Sequence, residues 1–500
     1  MPAPERSYDA AVGLGGRAEL AELRDRAVEV LTDSSLAHIV DLVAYVEDGE
    51  VIVANVDGAS RIDANDSDGP AEILRGRDPI AVRDPMQFAG LDAELADPSP
   101  PNERNAYPYA GTRLLSLFAD ARAPDIAVVH TGKHYWPDRG GHIGEHGSLS
   151  VVQSRAPFLL SGAGVADRGI AESAARVVDV APTLGQLAGL TTAQLAGLDG
   201  VPQTEGVELG AASYVIGLLW DGANCNSLLH LASTGELPAV ARLLERGFAL
   251  AGGAVAEFPS NTLCNHTAAL TGVGPGRHGI VNNCYWDRES HQQILANESG
   301  TWHMATDLLR GGVPTLFEMV GGERTACVNE PVDRGAAYST FALIRDAGHS
   351  DGAKSMGSML PDPAEDPCAT QEFAANDKDY RWSSQVDAVG LQQVLDLWGT
   401  PSEAPRLTWW NTTLTDTGHH NGGPHSEKAH ASLRDADRRL GLFLDRLAAL
   451  GVYDDCVILL TADHGSEGAD ENCLGDWDDV LRAEGLAFRD EAYGFIYLGV

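Results

Sequence analysis

Lysine is almost missing from this chain. Four residues in 500 (Lys133, Lys354, Lys378, Lys428) are lysine, so 31 of the 35 basic residues are arginine. Basic charge as a whole is outnumbered by 72 acidic residues, for a formal net charge of −37. A surface that negative repels nucleic-acid polymers at long range, so no nucleic-acid partner is expected. Scarce lysine beside abundant alanine and glycine reads as compositional bias, and the acidity is given no functional weight. No apolar run approaches the ~18 residues of a membrane span. Met1–Gly13 also lacks the basic-then-apolar pattern of a secretory leader. Cysteine is thin and odd in number (Cys225, Cys264, Cys284, Cys327, Cys368, Cys456, Cys473), never as Cys-x-x-Cys. Neither a disulfide framework nor a cysteine-ligated zinc site is expected, and a soluble cytoplasmic protein is. What is present is a 44 % apolar composition, ample for a buried core. The length suits roughly three domains of ~150 residues, or one large α/β enzyme with insertions.

The first hundred residues read as a small α+β unit. Glu19–Thr32 has helical spacing, and Val40–Val46 and Val51–Val56 form a hairpin through Glu47-Asp48-Gly49-Glu50. The Pro/Asp-rich stretch Asp92–Asn105 reads as a loop. Beyond it, short apolar runs alternate with helical segments. Strands are expected at Ile126–Val129, Phe158–Leu160, Tyr214–Leu219, Ala326–Val328, Leu407–Trp410 and Cys456–Leu460. Helices are expected at Ala239–Arg246, Val386–Leu397 and Ser432–Leu450. Continuous apolar strands between helices predict an α/β fold with a mostly parallel central sheet covered on both faces. Leu190–Ala212 reads as a linker and Asp346–Asp379 as a loop over a site.

In such sheets ligands gather at the carboxyl ends of the strands. Tyr214–Trp220 runs into Asp221-Gly222, and Cys456–Leu460 into Thr461-Ala462-Asp463-His464-Gly465. Leu407–Trp410 leads to Asp416, with His420 four residues on. Oxygen and imidazole donors from separate segments suit a catalytic metal centre. Alone, Asp221 reads first as a helix cap and Asp416/His420 as a solvated turn; three such sites at strand ends in one chain turn the reading towards a metal centre. Between these segments, Thr262 precedes a short helical stretch, Leu263–Leu270, ended by Thr271-Gly272. A hydroxyl there is either an N-cap or a nucleophile in the positive potential of a helix N-terminus.

Together these motifs resemble the alkaline phosphatase superfamily, most closely its nucleotide pyrophosphatase/phosphodiesterase branch. The resemblance is carried by Asp-Gly after a strand, Pro259-x-x-Thr262-x-x-Asn265-His266, Thr271-Gly272-x-x-Pro275-x-x-His278-Gly279-Ile280, Asp416-x-x-x-His420 and Asp463-His464-Gly465. That family also needs a Gly-x-His-Gly element, normally downstream of Asp-His-Gly. Here it stands upstream, at Gly144-Glu145-His146-Gly147. The resemblance therefore implies a circularly permuted order. Residues 1–105 would form the small α+β subdomain, completed by about 480–500, and 106–189 the family's C-terminal core. Residues 190–212 would be the linker and 213–480 the N-terminal and central core, with a loop or cap at 285–400. Tyr493–Leu498 should then lie near the hairpin Val40–Val56.

By the same resemblance, Asp221, Asp463, His464 and Thr262 hold one metal ion, and Asp416, His420 and His146 a second. Both are expected to be zinc, with manganese or another divalent ion as alternatives. Thr262 is then the nucleophile, forming a covalent phosphoryl-threonine, and Asn283 holds a phosphoryl oxygen. Asn282, His142 and His419 compete with Asn283, His146 and His420 for their roles, while His266 and His278 read as structural. The function implied is hydrolysis of small phosphodiesters or nucleotide pyrophosphates. A phosphonoacetate hydrolase-like enzyme, a phosphomonoesterase and a non-catalytic metal- or nucleotide-binding homologue remain alternatives. Sulfatases are excluded because Cys264-Asn265-His266 lacks their Cys-x-Pro-x-Arg motif.

Overall fold

The computed structural model describes residues 14–137, 140–346, 348, 366–492 and 494–499. It is a mixed α/β fold built on two large sheets. The first is a seven-stranded antiparallel sheet. Its centre is the hairpin Val40–Glu47/Glu50–Asn55, with Glu47 paired to Glu50. The two turn residues, Asp48 (φ 48°) and Gly49 (φ 81°), both take left-handed backbone, as a twist-matched two-residue hairpin turn requires. Alternation along the first strand sends Leu42 and Ala44 into the main core and Val43 and Tyr45 towards helix Leu14–Leu31.

The strand Ile126–His130 also belongs to this sheet, antiparallel to Val40–Glu47, rather than to the alternating α/β region. Its apolar run is continuous because this sheet is covered on both faces, so composition alone does not reveal which sheet it joins. Phe495–Leu498 pairs with Ile126–His130, one strand away from the hairpin, while Tyr493 lies outside the described residues.

The second sheet has eight strands. Tyr338–Ser339, Thr325–Val328, Leu407–Thr412, Tyr214–Trp220 and Cys456–Thr461 are parallel neighbours in that order. Phe158–Gly162 follows, antiparallel to Cys456–Thr461 and to Gly247–Leu250. The two central strands, Tyr214–Trp220 and Cys456–Thr461, are almost wholly apolar and buried, as strands covered on both faces of a sheet must be. Among the packing helices, Lys378–Leu397 and Glu427–Ala449 begin earlier than apolar spacing predicts, since their first turns are polar. The stretch expected to be a loop at Asp92–Asn105 contains a short helix, Leu91–Ala96. Its Glu94 is buried, accepting from Asn224 and Asn226 and pairing with His425. Of the predicted loop Asp346–Asp379, residues 347 and 349–365 lie outside the described residues. Among the described residues no helix is long and apolar enough to cross a membrane.

Candidate active site

Sheet register builds the site. Trp220 pairs with Thr412 and Leu219 with Thr461, so these strands end level. Asp221, Asp463 and His464 therefore emerge together at the carboxyl edge, with Asp416 and His420 on the helix Leu414–Gly422 that follows Leu407–Thr412. The backbone locks them in place. Gly222 N–H donates to Asp463 Oδ1 at 2.9 Å, and Thr415 Oγ1 donates to the Asp221 carbonyl at 2.6 Å. Gly222 has φ +63°, and a Cβ there would lie 2.5 Å from Asp416 Oδ1. Only glycine allows that approach without strain.

His146, from far upstream, completes the cluster. Its Nε2 lies 3.2 Å from His420 Nε2 and 3.9 Å from Asp416 Oδ1, and its ring stacks on His464 with centroids 3.7 Å apart. Each of the three imidazoles has Nδ1 on a backbone carbonyl: His146 on Ser260 at 3.1 Å, His420 on Gly144 at 2.7 Å and His464 on Gly465 at 2.9 Å. That pattern fixes the proton on Nδ1 and turns each Nε2 inward, the orientation of a metal ligand. Two sets, Asp221/Asp463/His464 and His146/Asp416/His420, each bring their donor atoms within 4.8 Å of one another.

The electrostatics are those of a site built for cations. Asp221 Oδ1, Asp416 Oδ1, Asp463 Oδ2 and His464 Nε2 are buried without a hydrogen-bond partner. Asp463 Oδ2 and His464 Nε2 face each other at 3.1 Å, while Asp221 Oδ1 and Asp416 Oδ1 have no contact that close among the described residues. Leaving buried carboxylate oxygens so poorly satisfied is costly, and bound cations relieve it. Burial, then the like charges of Asp463 and Asp416, push the Asp221 carboxyl up to about 8. Burial works against a charged His420, yet the Asp416 carboxylate lifts it to about 10. Asp463 overrides burial in the same way and lifts His464 to about 9. His146 is driven well down by burial and by the neighbouring imidazoles. Three carboxylates and three inward-facing imidazoles suit two divalent ions of the zinc type.

The competing histidines fall outside this cluster. His419 places Nδ1 on the Thr415 carbonyl and accepts from Asn224 N–H at Nε2, so both nitrogens are engaged elsewhere. His142 sits on the outer side, its Nδ1 3.4 Å from Glu145 Oε1 and its ring 4.1 Å from that of His420. His278 is buried, its Nδ1 accepting from Ile280 N–H.

Thr262 opens helix Thr262–Thr271, one residue earlier than expected, behind an N-cap, Asn261, that makes no side-chain capping bond. Asn283 Oδ1 accepts from Leu263 N–H at 3.0 Å, which brings this side chain beside Thr262. Asn282 is spent on structure, accepting from Asn261 and donating to the Ala492 carbonyl at 2.7 Å. Thr262 shares a cleft with Asp221 and His266, walled by Asn297, Trp302, Asn329, Pro331 and Phe341.

A family model described as type I phosphodiesterase/nucleotide pyrophosphatase matches residues 215–500. The chain belongs to this family. The match starts within the Tyr214–Trp220 strand, so His146 precedes it. Membership bears out the motif resemblance to the nucleotide pyrophosphatase/phosphodiesterase branch. Similar solved structures include phosphonoacetate hydrolase from Sinorhizobium meliloti 1021 in complex with phosphonoformate, at 22 % identity and TM-score 0.33. That alignment covers 51 % of this chain and 57 % of the other. Murine ectonucleotide pyrophosphatase/phosphodiesterase 5 is 16 % identical, with TM-score 0.39 and coverage of 56 % and 64 %. The chain thus spans less than two thirds of the length of these relatives.

Two further residues stand at the site, His266 from within the Pro259-x-x-Thr262-x-x-Asn265-His266 motif and Glu330, which sequence reading did not name. His266, read as structural, points Nε2 at Asp463 Oδ2 (3.5 Å) and Asp221 Oδ2 (3.7 Å). Its Nδ1 lies 2.8 Å from Glu330 Oε2. Burial alone would lower His266, but Glu330 and the two aspartates hold it well above its ordinary value. A signal for Glu330 was available: it stands just past the apolar strand Thr325–Val328, the same position that singled out Asp221.

Proposed function

We propose that this chain is a metal-dependent hydrolase of small phosphodiesters or nucleotide pyrophosphates, with Thr262 as nucleophile. The observation that carries this reading is the convergence of six carboxylate and imidazole side chains, four of them buried, beside a cleft that contains Thr262. Asp221, Asp463 and His464, with Thr262, would hold one divalent ion, and Asp416, His420 and His146 the other. Zinc is the best fit to this donor set, and manganese the next. Bound there, the pair would supply Lewis-acid stabilisation of the attacking and departing oxygens.

The protein's own groups supply the rest. The helix N-terminus at Thr262 favours negative charge on its Oγ. Thr262 Oγ gives up its proton and attacks phosphorus in line, and an O–P bond forms to threonine as the bond to the departing oxygen breaks. That oxygen leaves as an alcohol after taking a proton from water, or as a phosphate from a pyrophosphate. Water then cleaves the phosphoryl-threonine and restores the hydroxyl. Asn283, anchored through Oδ1, offers its amide N–H to a non-bridging oxygen.

The described residues lining the cleft include no lysine or arginine. This favours an ester over a carboxylate-bearing phosphonate. We further propose that the chain is circularly permuted relative to its family, with residues 190–212 as the junction, since His146 reaches the cluster from upstream of the matched region. The dispersed, unpaired cysteines suit a cytoplasmic setting.

The test is hydrolysis by zinc-loaded protein of bis(p-nitrophenyl) phosphate, p-nitrophenyl phosphate and phosphonoacetate. The diester should be cleaved fastest, and Thr262→Ala should cut that rate by roughly three orders of magnitude or more with the fold intact. An active Thr262→Ala variant, or no cleavage of any of the three, would overturn the reading.

A further inference from the structure

His266 stands one helical turn beyond Thr262 and is 1 % exposed. The imidazoles of His146, His420 and His464 rest their Nδ1 on backbone carbonyls, whereas His266 rests on a carboxylate. Glu330 is fully buried and held from several sides: Oε2 accepts from Trp409 Nε1 at 3.0 Å and lies 2.8 Å from His266 Nδ1, and Oε1 accepts from Val332 N–H at 3.0 Å. It is a rigid anchor, because charge-assisted bonds in a dry interior fix both partners. On the far side of the ring, Nε2 has no closer partner than the Oδ2 atoms of Asp463 and Asp221. Asp221 is thereby divided: Oδ2 faces His266, while Oδ1 faces His464 Nε2 at 3.8 Å. The other oxygen of Asp463 is already taken by Gly222 N–H.

We propose that Glu330 and His266 form a positioning pair that aims the Asp221 and Asp463 carboxylates at the first metal position and has no part in the second. The inference rests on the two-metal reading. It makes His266 neither ligand nor nucleophile. Glu330 fixes the ring, and the ring sets the rotation of two carboxylates that would otherwise repel each other across the site.

The test is a titration of metal-free, full-length protein with Co2+ alone, followed by calorimetry and visible absorption. Wild type should bind in two steps. In His266→Gln and Glu330→Gln one step should weaken by roughly tenfold to a hundredfold, the usual cost of removing a partner that orients metal ligands, with the other step unchanged. The double variant should be no weaker than His266→Gln, because Glu330 acts through His266. Melting of the metal-free variants serves as the fold control. Should His266→Gln fail to fold, Glu330→Gln carries the test, since its amide oxygen can still accept from Trp409. Wild-type affinities in both steps, or equal weakening of both, would overturn the pair while leaving the two-metal site standing. A wild type that binds no Co2+ would overturn the two-metal reading itself, and this inference with it.

Discussion

Gly222 shows how much of the site depends on what a single residue leaves out. Its positive φ and the 2.5 Å approach that a Cβ would make to Asp416 Oδ1 leave no room for a side chain. Gly222→Ala should weaken metal binding at both positions at once, because it displaces Asp416 and disturbs the N–H bond to Asp463. Calorimetric metal titration checks this, and wild-type affinities would contradict it. His278 gives a pH prediction. Burial lowers it from 6.5 to about 3 in the fold. The folded value is depressed, so its contribution to stability is complete above pH 6.5 and drains away as pH falls towards 3. Denaturation midpoints between those limits should fall less steeply in His278→Asn than in wild type, and parallel slopes would refute the assignment. At this scale the six clustered carboxylates and imidazoles were legible, because each stands in a dense local motif. Glu330 stood in view just past a strand, but its pairing with His266, 64 positions away, was not legible, because no spacing encodes that contact.

Helix Glu427–Ala449 is anchored by Ser426, whose hydroxyl accepts from Ala429 N–H at 3.1 Å. Ser426→Ala should cost about 1 kcal/mol, read as a lowered denaturant midpoint at constant slope, and an unchanged midpoint would show that the cap is idle. Apolar spacing placed this helix from Ser432 and its neighbour from Val386, several residues late in both. Their first turns, Glu427–His430 and Lys378–Arg381, are polar and declare themselves through N-cap chemistry instead. The strand Ile126–His130 shows the opposite failure. Its existence was plain from the apolar run, but its partners were not, because a doubly covered antiparallel strand and a parallel core strand carry the same composition.

The two large sheets meet around one continuous core, with helix Ala110–Phe118 packed against the seven-stranded sheet. The candidate site draws on distant parts of the chain: Gly144–Glu145 pairs with Glu467–Gly468, which carries the loop bearing His146 to the edge where Asp463 and His464 emerge. That arrangement was legible only in outline. A Gly-x-His-Gly motif upstream pointed to it, while the pairing that closes the site depends on contacts more than 300 positions apart. If His146 is a ligand, removing it should empty one metal position and leave the other intact. The direct measurement is metal content per chain, by elemental analysis after zinc loading and desalting, for wild type and His146→Ala. The account predicts two ions in the wild type and one in the variant, with diester hydrolysis lost. A His146→Ala protein that still retains both ions would contradict it.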